Sequence, residues 1–541
     1  MTANDMRTTM RTLIPVLLLA AASATAQAPP TVDEAALKAH VAFLASDALR
    51  GREAGTPDYD VAAEYVAAQM LAAGLEPGAN GRWLQPVPLV VAKPSAEPVM
   101  RLTGAGGPAT LVFGEDYTLR STPSPAAIAI DAPVVFAGYG TVDPALGRDE
   151  YRGLDVRGKV VAMFYSGPKG PPSEVAAHLG NRADRARIAA ERGAVGVIFI
   201  ESTQSRPVIP VTTLHRTWDA RAVTWAGPDG RPRDGGAPTL AVMSFAGAAK
   251  LFAGSPMKWD DVLAADAASR TVPTGQLAAR LSTTQRFTTE RLASSNVVGL
   301  LRGSDRRLAA EHVVLSGHLD HIGVTRPVNG DAINNGAMDN AIGIASMLEV
   351  ARRFQAGGAR PKRSILFVAV TAEEKGLIGS DYFATYPTVA KTSVVANVNL
   401  DMPILTYRFR DLVAFGADRS GIGPVAAAAA AAAGFALVPD PAPDQASFVR
   451  TDHYSFVRQG VPAVSLSPGP GGPGAAATAA FLKANYHQPG DQIDQPIDWT
   501  ASVNFVRVNH AIAKALADAP ERPRWVPGDY FGTRYKGPMA K

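Results

Sequence analysis

The chain has 541 residues, of which 47% are hydrophobic and 19% charged, and its formal net charge is +4 at pH 7. This length allows two or three domains with a large core, and so small a charge gives no reason to expect nucleic acid as a partner. The chain contains no cysteine, which excludes disulfide bonds, thiolate zinc sites and a lipid anchor on an N-terminal cysteine.

The first 26 residues have the pattern of a secretory signal peptide. Arg7 and Arg11 precede an apolar stretch at 13–22, and small residues at 24–26 offer a cleavage site. The apolar stretch is too short for an uncleaved anchor, and no later segment reaches the roughly 18 apolar residues of a membrane span. We therefore expect an exported protein, periplasmic or extracellular, with no stable membrane anchor after signal removal.

Between about 110 and 285 the pattern changes to short apolar runs separated by Gly and Pro turns. Such runs lie at 134–140, 158–164 and 193–200, and a charged helical stretch at 183–192 precedes the last of them. No candidate nucleophile or cluster of metal ligands appears in this region. We expect a smaller β-rich insert at 111–285 that interrupts a larger domain, which would comprise residues 33–110 and 286–520.

Polar side chains follow three β-branched runs in the second half of the chain. His318 follows the first run, Glu373 and Glu374 follow the second, and Asp401 follows the third. Such runs, spaced by helical stretches, are typical of buried parallel strands. In open α/β sheets the binding crevice lies beyond the carboxyl ends of the strands. We therefore expect these side chains to share one rim of the sheet.

Asp339 has a different context, because it precedes a helical pattern in which Ala341, Ala345 and Leu348 recur at i, i+4 and i+7. It would lie at a helix start and face the same crevice. With His487 further along the chain, five potential ligands offer His nitrogen and carboxylate oxygen, the atoms that zinc binds. One carboxylate can hold two metal ions ~3.5 to 4 Å apart. This composition predicts a two-metal hydrolase.

Taken singly, these residues have simpler interpretations. A pair of glutamates after a strand is usually a solvated turn, and His318 could be a hydrogen-bonded core histidine. Asp401 is harder to explain in this way, since a buried carboxylate without a cation or several donors is costly. His312, His321 and His510 lack a comparable context, and we expect them to be ordinary surface residues or residues that support the site from behind.

Five short motifs follow one another in the second half of the chain: His318-Leu-Asp320, Gly336-Ala-Met-Asp339-Asn340, Glu373-Glu374, Asn399-Leu-Asp401-Met402 and Tyr486-His487. Their order and spacing resemble peptidase family M28, which contains co-catalytic zinc aminopeptidases and carboxypeptidases. The likeness covers roughly 290 to 515, and a piece at roughly 33 to 85 also looks like the start of such enzymes. The region 111–285 resembles the protease-associated (PA) domain, a non-catalytic insert of this family that would cover the substrate cleft or act as a spacer.

The resemblance implies how the ligands divide between two zinc ions per chain. Asp339 would bridge the two ions. His318 and Asp401 would complete one metal site, and Glu374 and His487 would complete the other.

The resemblance also assigns the residues around the ligands. Glu373 would be the general base, since a carboxylate that does not bind metal can take a proton from water and pass it to the departing amine. Asp320 would hold the imidazole of His318 in one tautomer. The peptide bond between Asp339 and Asn340 is expected to be cis.

Two positions depart from the family pattern. A tyrosine that hydrogen-bonds the developing oxyanion in some aminopeptidases aligns with Phe448, which has no hydroxyl group. Tyr454, Tyr486 or the zinc itself could replace that donor. Asp452 and His453 match an Asp-His pair of the family, although they could also be a buried pair that braces the following strand.

Three segments are interpreted as structural. An alanine run at 426–433 between Pro424 and Gly434 predicts a helix. The Gly- and Pro-rich segment at 467–474 predicts a loop, which could border the site or have no function. The tail at 521–541 is expected to lie on the surface.

Together, these patterns predict an α/β fold with a mixed, mostly parallel sheet flanked by helices, as in zinc exopeptidases, and an inserted β-rich domain. The predicted function is zinc-dependent hydrolysis of peptide substrates with release of N-terminal residues, because the sequence places no arginine cluster in the cleft to receive a C-terminal carboxylate. A carboxypeptidase or another amidohydrolase is the alternative enzyme. A non-catalytic binding or receptor-like relative is the alternative from another class, but such proteins lose metal ligands.

Overall fold

The computed structural model describes residues 32–104, 107–120, 126–233, 235–358 and 360–541. The predicted signal peptide lies outside these residues. Within them, every helix is too short or too polar to cross a lipid bilayer.

Two helices open the described chain, a run of strands follows at 76–164, and helices and strands are interspersed over the remainder. The helices are α1 (Glu34–Leu44), α2 (Pro57–Ala72), α3 (Ser173–Leu179), α4 (Arg182–Glu191), α5 (Val211–His215), α6 (Phe245–Phe252), α7 (Trp259–Ala267), α8 (Ile342–Ala356), α9 (Ile378–Thr385), α10 (Ile422–Ala432), α11 (His453–Val457), α12 (Gly474–Ala484), α13 (Trp499–Asp518) and α14 (Tyr530–Arg534). The strands are β1 (Glu76–Pro77), β2 (Leu84–Pro94), β3 (Val99–Gly104), β4 (Ala109–Thr110), β5 (Tyr117–Thr118), β6 (Ala127–Phe136), β7 (Val142–Asp143), β8 (Arg148–Asp149), β9 (Val160–Phe164), β10 (Gly196–Ile200), β11 (Ala222–Trp225), β12 (Thr239–Met243), β13 (Gly275–Leu301), β14 (His312–His318), β15 (Val324–Val328), β16 (Asp331–Ile333), β17 (Ser364–Val370), β18 (Val394–Asn399), β19 (Asp411–Phe415), β20 (Ala436–Val438) and β21 (Ala463–Pro468).

A mixed sheet in the order β2, β13, β17, β14, β18, β21, β19, β20 forms the larger part of the molecule. The four central strands, β17, β14, β18 and β21, run parallel to one another. Strands β13 and β19 flank them in the antiparallel direction. The predicted mixed, mostly parallel sheet with flanking helices is confirmed.

The central strands are buried on both faces, which explains their continuous apolar sequences. In β14, Val313 and Leu315 pack into a core shared with α1, α8 and α13. Val314, between them, packs into a second core on the opposite face, which includes residues of α9 and α11. This two-sided cover leaves the carboxyl ends of the strands as the place where polar side chains emerge.

A second sheet contains β4, β3, β13, β6, β9, β10, β12 and β5, in that order. The long strand β13 belongs to both sheets, because its first half pairs with β3 and β6 and its second half pairs with β2 and β17. The second sheet takes in β3 and β4, which precede residue 111. Strand β11, at 222–225, pairs instead with β2 of the first sheet.

The C-terminal tail differs from its prediction as a surface segment. Trp525 and Phe531 have no exposed surface and pack into the core that contains residues of α9 and α11. The indole N–H of Trp525 donates a hydrogen bond to the carbonyl of Gly460 at 2.8 Å. The many prolines and charged residues of the tail predicted a surface segment and gave no sign that Trp525 and Phe531 would be buried. Burial of large aromatic side chains dominates the energetics of such packing.

Candidate metal centre

The carboxyl ends of β14, β17 and β18 lie side by side and present the candidate ligands. His318 is the last residue of β14 and is paired in register with Val370, the last residue of β17. Glu374 follows the end of β17 by four residues, and Asp401 follows the end of β18 by two. The parallel strands therefore bring three chain-distant ligands to one rim.

Asp339 reaches the same rim from a distorted turn, Ala337–Ala341, which leads directly into α8. The Asp339–Asn340 peptide bond is cis, as the resemblance implied. The Asn340 side chain donates to the carbonyls of His318 and Leu400, at 3.3 and 2.9 Å, and accepts from the backbone N–H of Met402 at 3.0 Å. This amide therefore ties the turn to the loops of two other ligands.

The two carboxylate oxygens of Asp339 face different partners. Oδ1 lies 3.2 Å from Nε2 of His318, which is itself 3.1 Å from Oδ1 of Asp401. Oδ2 lies 3.4 Å from Nε2 of His487, which is 3.1 Å from Oε2 of Glu374. The five side chains form two ligand groups that share one aspartate.

The spacing within each group fits a divalent cation. Zinc with tetrahedral ligands at ~2.0–2.1 Å separates neighbouring ligand atoms by roughly 3.3 Å, close to the distances between nitrogen and oxygen here. His318 Nδ1 lies 3.1 Å from the backbone carbonyl oxygen of Asp320, which can only accept. Nδ1 therefore carries the proton, and Nε2 keeps a lone pair directed at Asp339 and Asp401.

His321 joins the cluster, although its sequence context gave no reason to expect it there. It has no exposed surface, so a surface position is excluded. Its Nδ1 lies 2.8 Å from Oε1 of Glu374, and neither atom has another hydrogen-bond partner among the described residues. His321, Asp339 and Glu374 meet the spacing of a metal-binding group, as do His318, Asp339 and Asp401. Only its position three residues after His318 could have singled it out.

Asp320 contacts the imidazole of His318, as the resemblance implied, but through its backbone. Its backbone carbonyl, rather than its carboxylate, meets the imidazole of His318. The carboxylate instead accepts hydrogen bonds from the backbone N–H groups of Glu373 and Glu374, at 3.0 and 3.4 Å. Two positions after the end of β14, the side chain of Asp320 thus reaches the loop after the neighbouring strand β17.

A second buried carboxylate, Asp491, supports the turn of Asp339 and was missed in the sequence. It accepts hydrogen bonds from the backbone N–H groups of Met338 and Asp339, at 2.8 and 2.9 Å. Because it lies four residues after His487, it ties the segments of two ligands together. No local pattern distinguishes Asp491 from the other acids of this loop.

The electrostatics of the cluster reflect closely spaced acids and imidazoles. Burial alone would raise the pKa of Asp339, but its contacts with the imidazoles of His318 and His487 hold it well below its usual value. Burial and the charge of Asp339 would raise the pKa of Glu374, but its contacts with His321 and His487 lower this pKa to about 2. Burial, reinforced by neighbouring carboxylates, raises the pKa of Glu373 well above its usual value. Asp339 and Glu374 are thus held in their charged form beside Glu373, whose carboxylate favours its protonated form.

The aromatic candidates for an oxyanion donor have different surroundings. Phe448 is fully buried and packs against the rings of His453 and Phe531. The hydroxyl of Tyr454 lies 2.6 Å from Nδ1 of His178 on α3. The polar end of Tyr454 is therefore engaged with α3 and not with the candidate metal ligands.

Tyr486 remains beside the cluster. Its ring stacks on the imidazole of His487 with centroids 3.9 Å apart. Burial raises the pKa of Tyr486, and the charges of Asp339 and Glu374 add to the effect, so its hydroxyl stays a hydrogen-bond donor.

Asp452 and His453 are both fully buried. Burial raises the pKa of Asp452 to about 7, with contributions from Asp401 and Asp320. Nδ1 of His453 lies 2.6 Å from the hydroxyl oxygen of Thr451, and burial lowers the pKa of His453 to about 3. Asp452 therefore lies within electrostatic reach of the ligands, while His453 is a neutral core residue.

Residues 296–513 match the model of peptidase family M28. Over 108 residues, 20% of this chain, the sequence is 34% identical to a probable zinc metalloprotease of Pyrenophora teres f. teres and 41% identical to one of Pyricularia oryzae; the aligned segments cover 22% and 20% of those proteins. The chain thus spans about a fifth of the length of these curated relatives. An aminopeptidase from Aneurinibacillus sp. strain AM-1 shares the fold, with a TM-score of 0.50 and 20% identity over 94% of this chain and 98% of that one.

Proposed function

Because residues 296–513 of this chain match the model of peptidase family M28, we propose that the protein is a zinc-dependent metallopeptidase with two metal ions per chain. The observation that carries the proposal is the two-sided placement of Asp339. One of its oxygens faces His318 and the other faces His487. A carboxylate bridging two cations needs this arrangement, and a core aspartate that serves only for structure does not.

The residues fit the ions by type and by spacing. Asp339, His318 and Asp401 would hold one zinc ion, and Asp339, Glu374 and His487 the other, with His321 beside Glu374. Bound zinc ions would polarise the scissile carbonyl and lower the pKa of a nearby water molecule. The remaining chemistry belongs to side chains of the chain itself.

Glu373 is the general base of the proposed reaction. It adjoins the ligand Glu374, and its backbone N–H is held by Asp320. Its carboxylate accepts a proton from the attacking water and donates it to the nitrogen of the departing amine. Both transfers are tasks for a positioned carboxylate of raised proton affinity, so the adjacent glutamates divide binding and proton transfer between them.

Tyr486 is the proposed donor to the developing oxyanion. Its position against His487 sets its ring beside the cluster, and its hydroxyl keeps its proton over the working pH range. Phe448 lacks a hydroxyl, and Tyr454 donates elsewhere, which leaves Tyr486 as the tyrosine that the geometry favours. A preorganised donor of this kind stabilises charge that appears only in the transition state.

Residues 111–285 act as a protease-associated insert that shapes the cleft. Helix α3 of this region packs against residues 443–449, and Ser173 donates a hydrogen bond to Asp444 at 3.0 Å. That segment leads directly to Asp452 near the cluster. The insert can therefore influence the wall of the substrate cleft through the backbone that it contacts.

The proposed direction of cleavage is from the N-terminus of the peptide. The similar fold of the Aneurinibacillus aminopeptidase supports this direction, as does the absence of a recognisable arginine cluster for a C-terminal carboxylate. Export follows from the pattern of residues 1–26. A carboxypeptidase is the competing enzyme, and a non-catalytic binding protein is the competing protein of another class.

Hydrolysis of a matched substrate panel tests the proposal. The panel contains aminoacyl anilides, the same compounds with a blocked amine, and peptides with free or amidated C-termini, each assayed with and without a chelator. The proposal expects cleavage only where the amine is free, loss of activity on chelation, and about two zinc ions per chain by elemental analysis. Cleavage confined to blocked amines with free C-termini would reverse the direction. No zinc after zinc-replete purification would favour the binding protein.

A further inference from the structure

Arg52 is a buried arginine whose hydrogen bonds all go to backbone carbonyls. Only 1% of its surface is exposed. Its Nε donates to Leu319 at 2.9 Å, one Nη donates to Leu44 at 2.6 Å and also to Asn335, and the other Nη donates to Gly336 at 3.1 Å. The rigid fork of a guanidinium group can serve several acceptors at once.

These carbonyls belong to the loops that carry the metal ligands. Leu319 directly follows the ligand His318, and Gly336 lies three residues before the ligand Asp339. Leu44 is the last residue of α1. Arg52 thus joins the end of a helix to two ligand loops that are otherwise separated along the chain.

The backbone around Arg52 approaches the first of these loops closely. The carbonyl of Arg52 accepts a hydrogen bond from the N–H of His321 at 3.3 Å, and the carbonyl of Gly51 accepts one from Gly323 at 3.2 Å. Arg50, Gly51 and Arg52 all have positive φ angles, of 44°, 75° and 47°. A Cβ atom on Gly51 would lie 2.5 Å from the carbonyl oxygen of Asn334. Positive φ angles are unfavourable for Arg50 and Arg52. The turn that contains them places the side chain of Arg52 between the two ligand loops.

The charge of Arg52 is not used in an ion pair with any of the acids it approaches. Burial lowers its pKa to about 10, and Asp320, Asp491, Asp339 and Glu374 act in the opposite direction. The group therefore remains charged near neutral pH. Its four hydrogen bonds leave the oxygens of the ligand acids free for other cations, while its charge offsets part of their mutual repulsion.

We propose that Arg52 is a positioning residue that holds the loops of His318 and Asp339 in their metal-binding arrangement before any metal ion binds. The role rests on the proposed two-metal function for the identity of the ligands. A preassembled cluster binds zinc without the cost of ordering its loops, so affinity for zinc should depend on the guanidinium group.

The insert provides a matched control in Arg185. This arginine is also 1% exposed, and it donates five hydrogen bonds to backbone carbonyls, all of them within 139–180. Burial lowers its pKa to about 9. Arg185→Lys removes a similar set of hydrogen bonds from a comparable site that carries no metal ligand.

The test compares Arg52→Lys and Arg185→Lys in the full chain after removal of metal. Zinc affinity is measured by competition with a chromogenic chelator, and the thermal midpoint is measured with and without zinc. We expect Arg52→Lys to weaken zinc binding about 10- to 100-fold, the range found for residues that orient ligands. We expect Arg185→Lys to lower the midpoint with little change in zinc affinity. Equal zinc affinities for the two variants would overturn the role of Arg52.

Amide hydrogen exchange of the unmodified protein gives a second readout that does not depend on a variant folding. Preassembly predicts that residues 319–323 and 334–339 are protected from exchange even without metal, with a modest gain when zinc is added. Free exchange of both loops until zinc is added would contradict the role of Arg52. Failure of the unmodified protein to bind zinc at all would instead refute the proposed function.

Discussion

The carboxylate of Asp320 accepts the backbone N–H groups of Glu373 and Glu374, although 53 residues separate Asp320 from the first of them. Asp320 follows β14 and the glutamates follow β17, so the contact bridges the ends of two adjacent parallel strands. One residue thereby sets the position of both the proposed general base and a proposed metal ligand.

Asp320→Asn should weaken zinc binding about 10- to 100-fold and lower turnover. The amide can offer only one oxygen to the two N–H groups, and its own N–H₂ group would face a second donor. Zinc affinity by chelator competition and initial rates on an aminoacyl anilide measure the two effects. Asp498→Asn is the control, because Asp498 caps α13 away from the cluster by accepting from Ala501. An equal loss in both variants would show that the effect is general destabilisation.

Glu373→Gln should retain zinc but lose roughly 10² to 10⁴ in turnover, since the amide cannot accept a proton from water. Elemental analysis and rates on the same preparation separate the two properties. Glu290→Gln, at an exposed position paired with Arg221, should keep both. Near-normal turnover of Glu373→Gln with two zinc ions confirmed would remove Glu373 from its role.

The central sheet and its ligand rim could be predicted because their signals are local. His318, Glu374 and Asp401 each follow a continuous apolar run, and parallel strands place the ends of such runs at one edge. Asp339 precedes a helical pattern and lies at the start of α8. In each case a few neighbouring residues carry the information.

The supporting residues could not be predicted because their roles arise where distant loops meet. Arg52 and Asp491 act through backbone groups of segments more than 150 positions away, and no periodicity marks them. The sequence could not show, for a similar reason, that Asp320 contacts the imidazole of His318 through its carbonyl oxygen and not its carboxylate, since side-chain direction at a strand end depends on the loop that follows. Tyr454 was one of the candidate oxyanion donors, but the partner of its hydroxyl, His178, lies on α3, far away along the chain.

His321→Gln should lower zinc occupancy on the Glu374 side of the cluster, with about a 10- to 100-fold loss of affinity. The imidazole contacts Glu374 at 2.8 Å, and a neutral amide cannot replace it as a nitrogen ligand or as an orienting group. Titration with zinc should then show one site near its original affinity and one weakened. His510→Gln is the control, because His510, on α13, packs against Phe354 of α8. Two unchanged sites in His321→Gln would exclude a direct role in metal binding.

His178 should make the stability of the protein sensitive to acid. It lies on α3 among Tyr454, Tyr530 and Tyr535, and burial lowers its pKa to about 4, with Asp184, Arg458, Arg534 and Asp143 as the charged neighbours. The unfolded chain takes up the proton near pH 6.5, whereas the folded protein resists it down to about pH 4. Stability is therefore complete above pH 6.5 and falls as the pH drops through this window.

The variant His178→Gln measures this contribution. Between pH 7 and pH 5 the unmodified protein should lose about 2 kcal/mol more unfolding free energy than the variant does. Denaturant unfolding of both proteins in chelator-containing buffer, which keeps the metal ligands in the same state, gives the comparison. Parallel pH profiles for the two proteins would show that His178 does not titrate on unfolding.

Trp525 makes the C-terminal tail a structural part of the larger domain, so Trp525→Ala should reduce the free energy of unfolding by about 3 to 5 kcal/mol. The indole has no exposed surface, and its N–H donates a hydrogen bond to the carbonyl of Gly460. Gly537 packs so closely against it that a Cβ atom on Gly537 would lie 2.3 Å from the indole nitrogen. The neighbouring change Val526→Ala, at a side chain that is 37% exposed, should cost less than about 1 kcal/mol. Equal midpoints for the two variants in urea would mean that the tail detaches before the domain unfolds.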